Sequence, residues 1–410
     1  MEETFFTYHR VLFLAGVYIF QKENWDTRPK LFHQIINFMV GVISFILTSV
    51  FVVKNFSDLL VCIEGVCIWG TGIIMTITLA VCLVFRKDFR SFLEEMAFKD
   101  VMLEMTFVKY ALTLDQGYKL KELKIMVLES QENLLKYCRV LMRIYSICVW
   151  ISASLYIINA IYQMATREDD SLRLLAFDMW FPWSLDDIRI YIVSFTFHAY
   201  CGYMCCVAYP GLQMTICFLM GQIIRQLKIL TFILQHLDEL VLEINGQRDL
   251  TWQIHCTAIM RQCVDHYVKI KRFGSRLNVY CQPFYLVLIL ASTLILCLCS
   301  VKIAVSEKFT LDTMKYYVHG FCVIMFVLMF CSLGQKIDNE CDTLENAVME
   351  KWYIFNKEHK TILRIFKMAL SQRMPVYVFG TIPLSLPTFT WFIKTGMSFF
   401  TLMMSVLEEE

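Results

Sequence analysis

Side chains able to do chemistry are sparse in this chain, and their spacing serves none of the common catalytic schemes. The eight histidines are scattered, and none falls in a His-Glu-x-x-His run. There is no phosphate-cradling P-loop, no Gly-rich dinucleotide turn, no Gly-x-Ser-x-Gly elbow and no repeated Cys-x-x-Cys pair. Cysteine is plentiful at 17, but most of it lies in apolar stretches, as at Cys62, Cys67, Cys82, Cys201 and Cys299. Cys205 and Cys206 are adjacent, which is not a ligand spacing. These cysteines read as small buried hydrophobes, not as a metal site or a disulfide frame. Charge inside the apolar stretches is limited to Glu64, Arg143 and Lys394. No file of Asp, Glu and His suggests a proton relay, and no Arg-every-third pattern suggests a voltage sensor. The chain therefore reads as a non-enzyme with no cofactor and no metal.

What the residues do offer is apolar recognition, through 33 Phe, 19 Tyr, 8 Trp and 23 Met. Trp69 and Ile73, then Trp150, Ser154 and Ile157, then Phe197 and His198, then Tyr317 and Phe321 fall at a similar depth in four apolar segments. Segments converging there would line an apolar pocket with a few polar groups, suited to a small hydrophobic ligand. Ordinary helix packing with an interfacial aromatic belt would give the same residue types. His198 also fits a hydrogen-bonded interior position. The run Asp178–Asp187, with Trp180, Phe181 and Trp183, would lie in the headgroup zone or fold over a pocket as a lid. Near the end, Leu402 and Val406 are four apart and share one helix face. A ring of such residues about a symmetry axis would form a dewetting gate, with Glu408, Glu409 and Glu410 at its mouth. A lipid-facing or buried helix with a polar tail would show the same pattern.

These residues need helices that cross a bilayer. The chain is 57% hydrophobic and only 18% charged, with a mean hydropathy of +0.53. A soluble domain keeps roughly 25% charged residues. A crossing takes about 20 apolar residues, and seven stretches qualify: 35–53, 61–85, 140–164, 190–220, 279–299, 316–334 and 376–406. The last is interrupted by Gly380, Pro383 and Pro387, which divides it into a cytoplasmic approach helix at 357–373 and a membrane helix at 386–406. Val11–Phe20 is too short to cross and reads as an interfacial or re-entrant helix; no cleavable signal peptide is evident. Of the 38 Lys and Arg residues, 29 lie in the N-terminal segment and in the long connections after spans two, four and six. Only 7 lie in the short connections, so the N-terminus and long connections belong in the cytoplasm and the C-terminus outside. The fold class is an all-α, seven-span membrane protein, with spans four to seven extended into a cytoplasmic bundle.

The expected organisation is a cytoplasmic N-terminal segment (1–34), four spans forming the ligand-binding part (35–220), and a cytoplasmic helical anchor (221–278). Spans five and six (279–334), further anchor helices (335–375) and a seventh span (376–410) follow. In the anchor, Ile223, Leu227, Leu230, Leu234, Leu237, Val241 and Ile244 form a heptad seam, with Arg225, Lys228 and Asp238 off it. The seam packs on its own chain or joins subunits. Leu344, Val348, Trp352, Phe355, Ile362 and Phe366 make a rougher stripe. A net charge of +1 gives no field that calls for nucleic acid. Asn55-Phe56-Ser57 is a glycosylation sequon on a very short outer loop.

Over nearly its whole length, and most strongly in its last 80 residues, the chain resembles the insect odorant receptor family. The resemblance is carried by Gly334-Gln335 through Asp342–Ala347 to Lys351-Trp352-Tyr353, then Ile362–Met374 and Pro375. Pro383–Phe389, Lys394–Leu402 and Phe181-Pro182 complete it. It implies a ligand-gated, non-selective cation channel, a hetero-tetramer in which an odorant-specific subunit assembles with a shared co-receptor in the plasma membrane of olfactory neurons. It implies a volatile apolar odorant or pheromone as ligand, bound in the outer half among spans two to six, and a last helix that lines the pore. Carried over, Leu402 and Val406 take gate positions, and Ser405 stands where the co-receptor has a polar Gln. The related gustatory receptors end on a Thr-Tyr-hydrophobic-Gln-Phe pattern; Ser398-Phe399 and Ser405-Val406 occupy the matching places here. Gly221–Asn278 is too short for the co-receptor's extra insertion, so a ligand-specific subunit is expected. A gustatory receptor-type ligand-gated channel is one competing reading, and a G-protein-coupled receptor is the more distant one. The charge asymmetry opposes it, as do the missing Asp/Glu-Arg-Tyr and Asn-Pro-x-x-Tyr motifs.

Overall fold

The computed structural model describes residues 2–114, 117–166, 174–307, 310–372, 374, 376–378 and 380–409; Pro375 and Glu410 and the side chains of Glu408 and Glu409 lie outside that description. The helices are α1 (Glu2–Leu14), α2 (Arg28–Lys54), α3 (Leu59–Val84), α4 (Arg86–Met96), α5 (Thr106–Ala111) and α6 (Tyr118–Thr166). They continue with α7 (Ile188–Gln235), α8 (Leu237–Asn245), α9 (Leu250–Val305), α10 (Leu311–Glu350), α11 (Lys357–Ser371) and α12 (Leu386–Glu409). A two-residue hairpin pairs β1 (Tyr377–Val378) with β2 (Ile382–Pro383) just before α12. Among the described residues, α2, α3, α6, α7, α9 and α10 are each long and apolar enough to cross a membrane. The seventh expected span, α12, has 24 residues, with Lys394 among them.

Capping residues set where these helices begin. Asp58, Asp187, Asp249, Thr310 and Asn356 each accept a hydrogen bond from a backbone N–H in the first turn of α3, α7, α9, α10 and α11. Such caps satisfy donors that have no partner within the helix. Pro29 stands in the first turn of α2, where its missing N–H costs nothing. Pro210 and Pro283 lie inside α7 and α9, the first buried and the second on an exposed face.

Several spans run far past their apolar stretches. The expected spans 140–164 and 279–299 are the ends of a 49-residue α6 and a 56-residue α9. Their amphipathic halves continue into the cytoplasm as the same helix, at about 1.5 Å per residue. The N-terminal expectation is corrected. The helix is Glu2–Leu14, not Val11–Phe20, and Gly16 at φ +80 ends it. A Cβ at Gly16 would meet the Gln34 backbone at 2.9 Å, so chain reversal there requires glycine. Phe5, Tyr8 and Leu12 are buried, with the Tyr8 hydroxyl donating to the Met214 carbonyl of α7, so one face of α1 packs into the core.

The cytoplasmic anchor is well packed inside one chain. The seam from Ile223 to Val241 is buried, although the helix breaks at His236 between α7 and α8. Arg225, expected off the seam, is buried too. Its guanidinium forks onto Asp100 (Nη1–Oδ1 3.2 Å, Nη2–Oδ2 2.6 Å) and donates to Ser130 Oγ and the Val127 carbonyl. Asp238 holds Lys351 at 2.7 Å, tying α8 to the end of α10. Trp252 of α9 stacks on Phe355, which stacks on His359 of α11 at 4.0 Å.

Candidate ligand site

α2, α3, α6, α7, α9 and α10 converge on one cavity of about 110 Å³. Its floor is formed by Leu288 and Ser292 of α9 with Tyr145 of α6 and Phe326 of α10, whose rings stack at 5.5 Å. Ile68, Thr71, Gly72 and Met75 of α3 form one side; Val149, Ser152 and Tyr156 of α6 form another. Cys201, Gly202, Cys205 and Tyr209 of α7 face them. The lining is mostly apolar, and its polar groups are largely engaged with one another. Tyr145 donates to Gln213 Oε1 at 2.7 Å, and the Tyr209 hydroxyl donates to the Thr71 carbonyl. Tyr156 and Thr71 flank the two ring nitrogens of His319, at 3.1 and 3.3 Å. Apolar cavities on the order of 150 Å³ hold a single aromatic ring, so this one suits a compact apolar molecule.

The segment before α7 covers the cavity. Phe177 and Met179 line it directly. Gly202 lets Phe177 lie against α7, because a Cβ there would meet the Phe177 ring at 2.8 Å. The Trp180 N–H bonds to the Leu47 carbonyl at 3.2 Å, Lys54 stands over the Trp180 ring, and Trp183 Nε1 donates to Ser194 Oγ. Phe181 packs beside Phe197 and His198. The segment is thus a cover anchored to α2 and α7, and its cavity-facing residues are Phe177 and Met179, not the tryptophans.

None of the nine residues expected at the pocket lines this cavity. Trp69 turns to α2, donating to Ser49 Oγ at 3.0 Å and packing on Phe45. Trp150, Tyr317 and Phe321 are 42%, 40% and 58% exposed and lie on the outer faces of α6 and α10; Ser154 shares the Trp150 face. Ile73 and Ile157 are half-buried away from the cavity. Phe197 and His198 stand behind the cover, with His198 Nδ1 accepting from the Phe177 N–H at 3.4 Å. The cavity draws on the helices that carry those nine residues, α3, α6, α7 and α10, but on other faces of them. One residue along a helix rotates a side chain by about 100°, so Val149 and Ser152 face inward where Trp150 and Ser154 face out. The missed signal was the small residues: Ser44, Gly72, Ser152, Ala153, Gly202 and Ser292 leave the space that bulky aromatics would fill.

A family model described as 7tm Odorant receptor matches residues 58–397. The chain belongs to that family. As an odorant receptor, it is a multi-pass membrane protein, and its fold agrees with solved relatives. It superposes on the insect olfactory receptor OR5 from Machilis hrabei in complex with eugenol with a TM-score of 0.81, at 11% identity, covering 99% of this chain and 98% of that one. The structure of the same receptor without that ligand gives a TM-score of 0.76, at 11% identity, covering 94% and 92%. No curated protein matches the chain significantly. In this receptor, Leu402 and Val406 of α12 are 59% and 42% exposed, and Ser405 is exposed beside them, so this helix presents an unpartnered apolar face in the single subunit.

Proposed function

We propose that this odorant receptor is the ligand-specific subunit of an odorant-gated, non-selective cation channel, working with a shared co-receptor in the plasma membrane of olfactory neurons. The observation that supports it most is the covered apolar cavity at the meeting of six helices in a chain of the odorant receptor family. The ligand is a small, volatile, apolar molecule seated against Tyr145, Phe177 and Phe326, with Ser152 and Ser292 as the polar groups nearest to it. That eugenol is bound in a receptor of the same fold agrees with a ligand of this size and character.

The mechanism is a population shift. A ligand opens the channel only by its differential affinity for the open state. The cavity is walled by α9 and α10, and α12 packs on both. A ligand that repacks the inner faces of α9 and α10 therefore moves the helix that carries Leu402, Ser405 and Val406. In a tetramer these residues face the axis, and their displacement wets the pore.

The test is whole-cell current in cells expressing this chain with and without the co-receptor, across a panel of volatile apolar compounds. The expected result is a ligand-evoked cation current that requires the co-receptor and persists when G-protein signalling is blocked. A response abolished by that block would favour the G-protein-coupled reading. Silence to volatiles with current evoked by tastants would favour a gustatory-type channel.

A further inference from the structure

Where α3, α9 and α10 meet at the cavity wall, three soft donor side chains from three different helices point at one spot. Cys67 Sγ lies 3.7 Å from Cys299 Sγ and 3.9 Å from His319 Nδ1. The three donor atoms fall within 4.8 Å of one another, and both thiols are free and buried. Two thiolates bound at about 2.3 Å to a tetrahedral ion stand about 3.8 Å apart, and an imidazole nitrogen about 3.6 Å from each sulfur. The side chains already hold nearly that spacing.

The histidine is also in the state a metal needs. The Thr71 hydroxyl donates its one proton to the Cys67 carbonyl at 3.1 Å. Its oxygen is then an acceptor for the proton on His319 Nε2, 3.3 Å away. That leaves the lone pair on Nδ1, the nitrogen that faces the thiols and accepts from the Tyr156 hydroxyl at 3.1 Å. An outer partner that fixes tautomer and ring orientation is the usual companion of a metal-bound histidine.

We propose that Cys67, Cys299 and His319 Nδ1 bind one zinc ion, with its fourth position open to the cavity. Charge selects the ion. Two thiolates and a neutral imidazole cancel the charge of a divalent cation, whereas a monovalent soft ion would leave a net negative charge in an apolar setting. On binding, each thiol gives its proton to water, the Tyr156 hydroxyl gives up its hydrogen bond to Nδ1, and two S–Zn bonds and one N–Zn bond form, so nothing is oxidised or reduced. Thr71 is a positioning residue that acts through His319. The site is complete without an odorant and without a second subunit.

The test uses the full chain purified in detergent, loaded with zinc chloride and desalted, with cobalt chloride as a spectroscopic probe. The wild-type protein retains one equivalent of zinc, and its cobalt form shows intense thiolate-to-metal absorption. Cys67→Ser and Cys299→Ser lose that absorption, whereas Cys82→Ser, a buried thiol elsewhere on α3, keeps it. Thr71→Val weakens affinity by about 10- to 100-fold. Should the serine variants not fold, the wild-type cobalt spectrum decides alone. The proposal is overturned by a wild-type spectrum without thiolate absorption, by binding that survives both serine variants, or by a Cys67–Cys299 disulfide in the fresh protein.

Discussion

Asp178 shows how a single group in the cover responds to its surroundings. It lies between α6 and α7, and burial lifts its carboxyl to about 7; Glu64 pushes the same way, while Lys315 and Lys302 oppose. Those cations are engaged elsewhere, Lys302 with Glu64 at 2.7 Å and Lys315 with Asp312 at 2.6 Å. A folded-state value above the ordinary carboxylate value means the packed cover favours the proton. That stabilisation is present at acid pH and is lost as pH rises through about 7. The expected outcome is a half-maximal odorant concentration that shifts as outer pH moves across neutrality, and an Asp178→Asn receptor in which the shift is flattened. An equal shift in both receptors would remove Asp178 from the account. At the cytoplasmic side, Arg225 and Asp100 are both buried and joined by two hydrogen bonds. Removing one partner of such a pair costs about 3–5 kcal/mol. Arg225→Ala should therefore cut surface abundance sharply, and adding Asp100→Leu should recover part of it, read by surface labelling.

At the scale of elements, α11 is held by a pH-sensitive contact. His359 is fully buried against Phe355, neither ring nitrogen has a hydrogen-bond partner, and burial holds its imidazole down to about 4. Because the folded value is depressed, the docking of α11 is at full strength above the ordinary histidine value of 6.5 and weakens as pH falls toward 4. A thermal melt of the purified chain should lose stability on acidification, and His359→Phe, which keeps the stacked ring, should lose less. The spans were legible as elements because about 20 apolar residues in a row, with almost no charge, are hard to place anywhere but in a bilayer. The extension of span five into the anchor is legible, and α9 carries it; that of span three is not, since α6 runs on from Tyr118 as helix where hydropathy alone registers only a polar connection. Nor was the N-terminal helix: the apolar run at Val11–Phe20 drew attention, but Gly16 places the helix before it. Four of the helices around the cavity are ones the aromatic content singles out, but its lining residues are not, because which face turns inward is decided by tertiary packing and not by residue type.

For the whole molecule, the unpartnered face of α12 and the covered cavity lie at two ends of one linkage through α9 and α10. Leu402→Ala should raise leak current or alter gating without changing surface abundance, and unchanged currents would remove Leu402 from the gate. The linkage begins at the cavity, and Gly72 gives direct access to it. Gly72 lines the cavity, and a Cβ there meets nothing nearer than Phe45 at 4.0 Å, which leaves room for the first atom of a larger side chain. Exchanging an interior helical glycine also improves helix propensity, by up to about 1 kcal/mol, which favours folding. The decisive measurement is therefore the odorant-evoked current of Gly72→Leu beside wild type, each expressed with the co-receptor and matched for surface abundance. Occupation of the cavity by the odorant predicts that half-maximal activation shifts at least about tenfold, a change of about 1.4 kcal/mol, or is lost. An unchanged dose–response would contradict it and move the ligand elsewhere in the receptor.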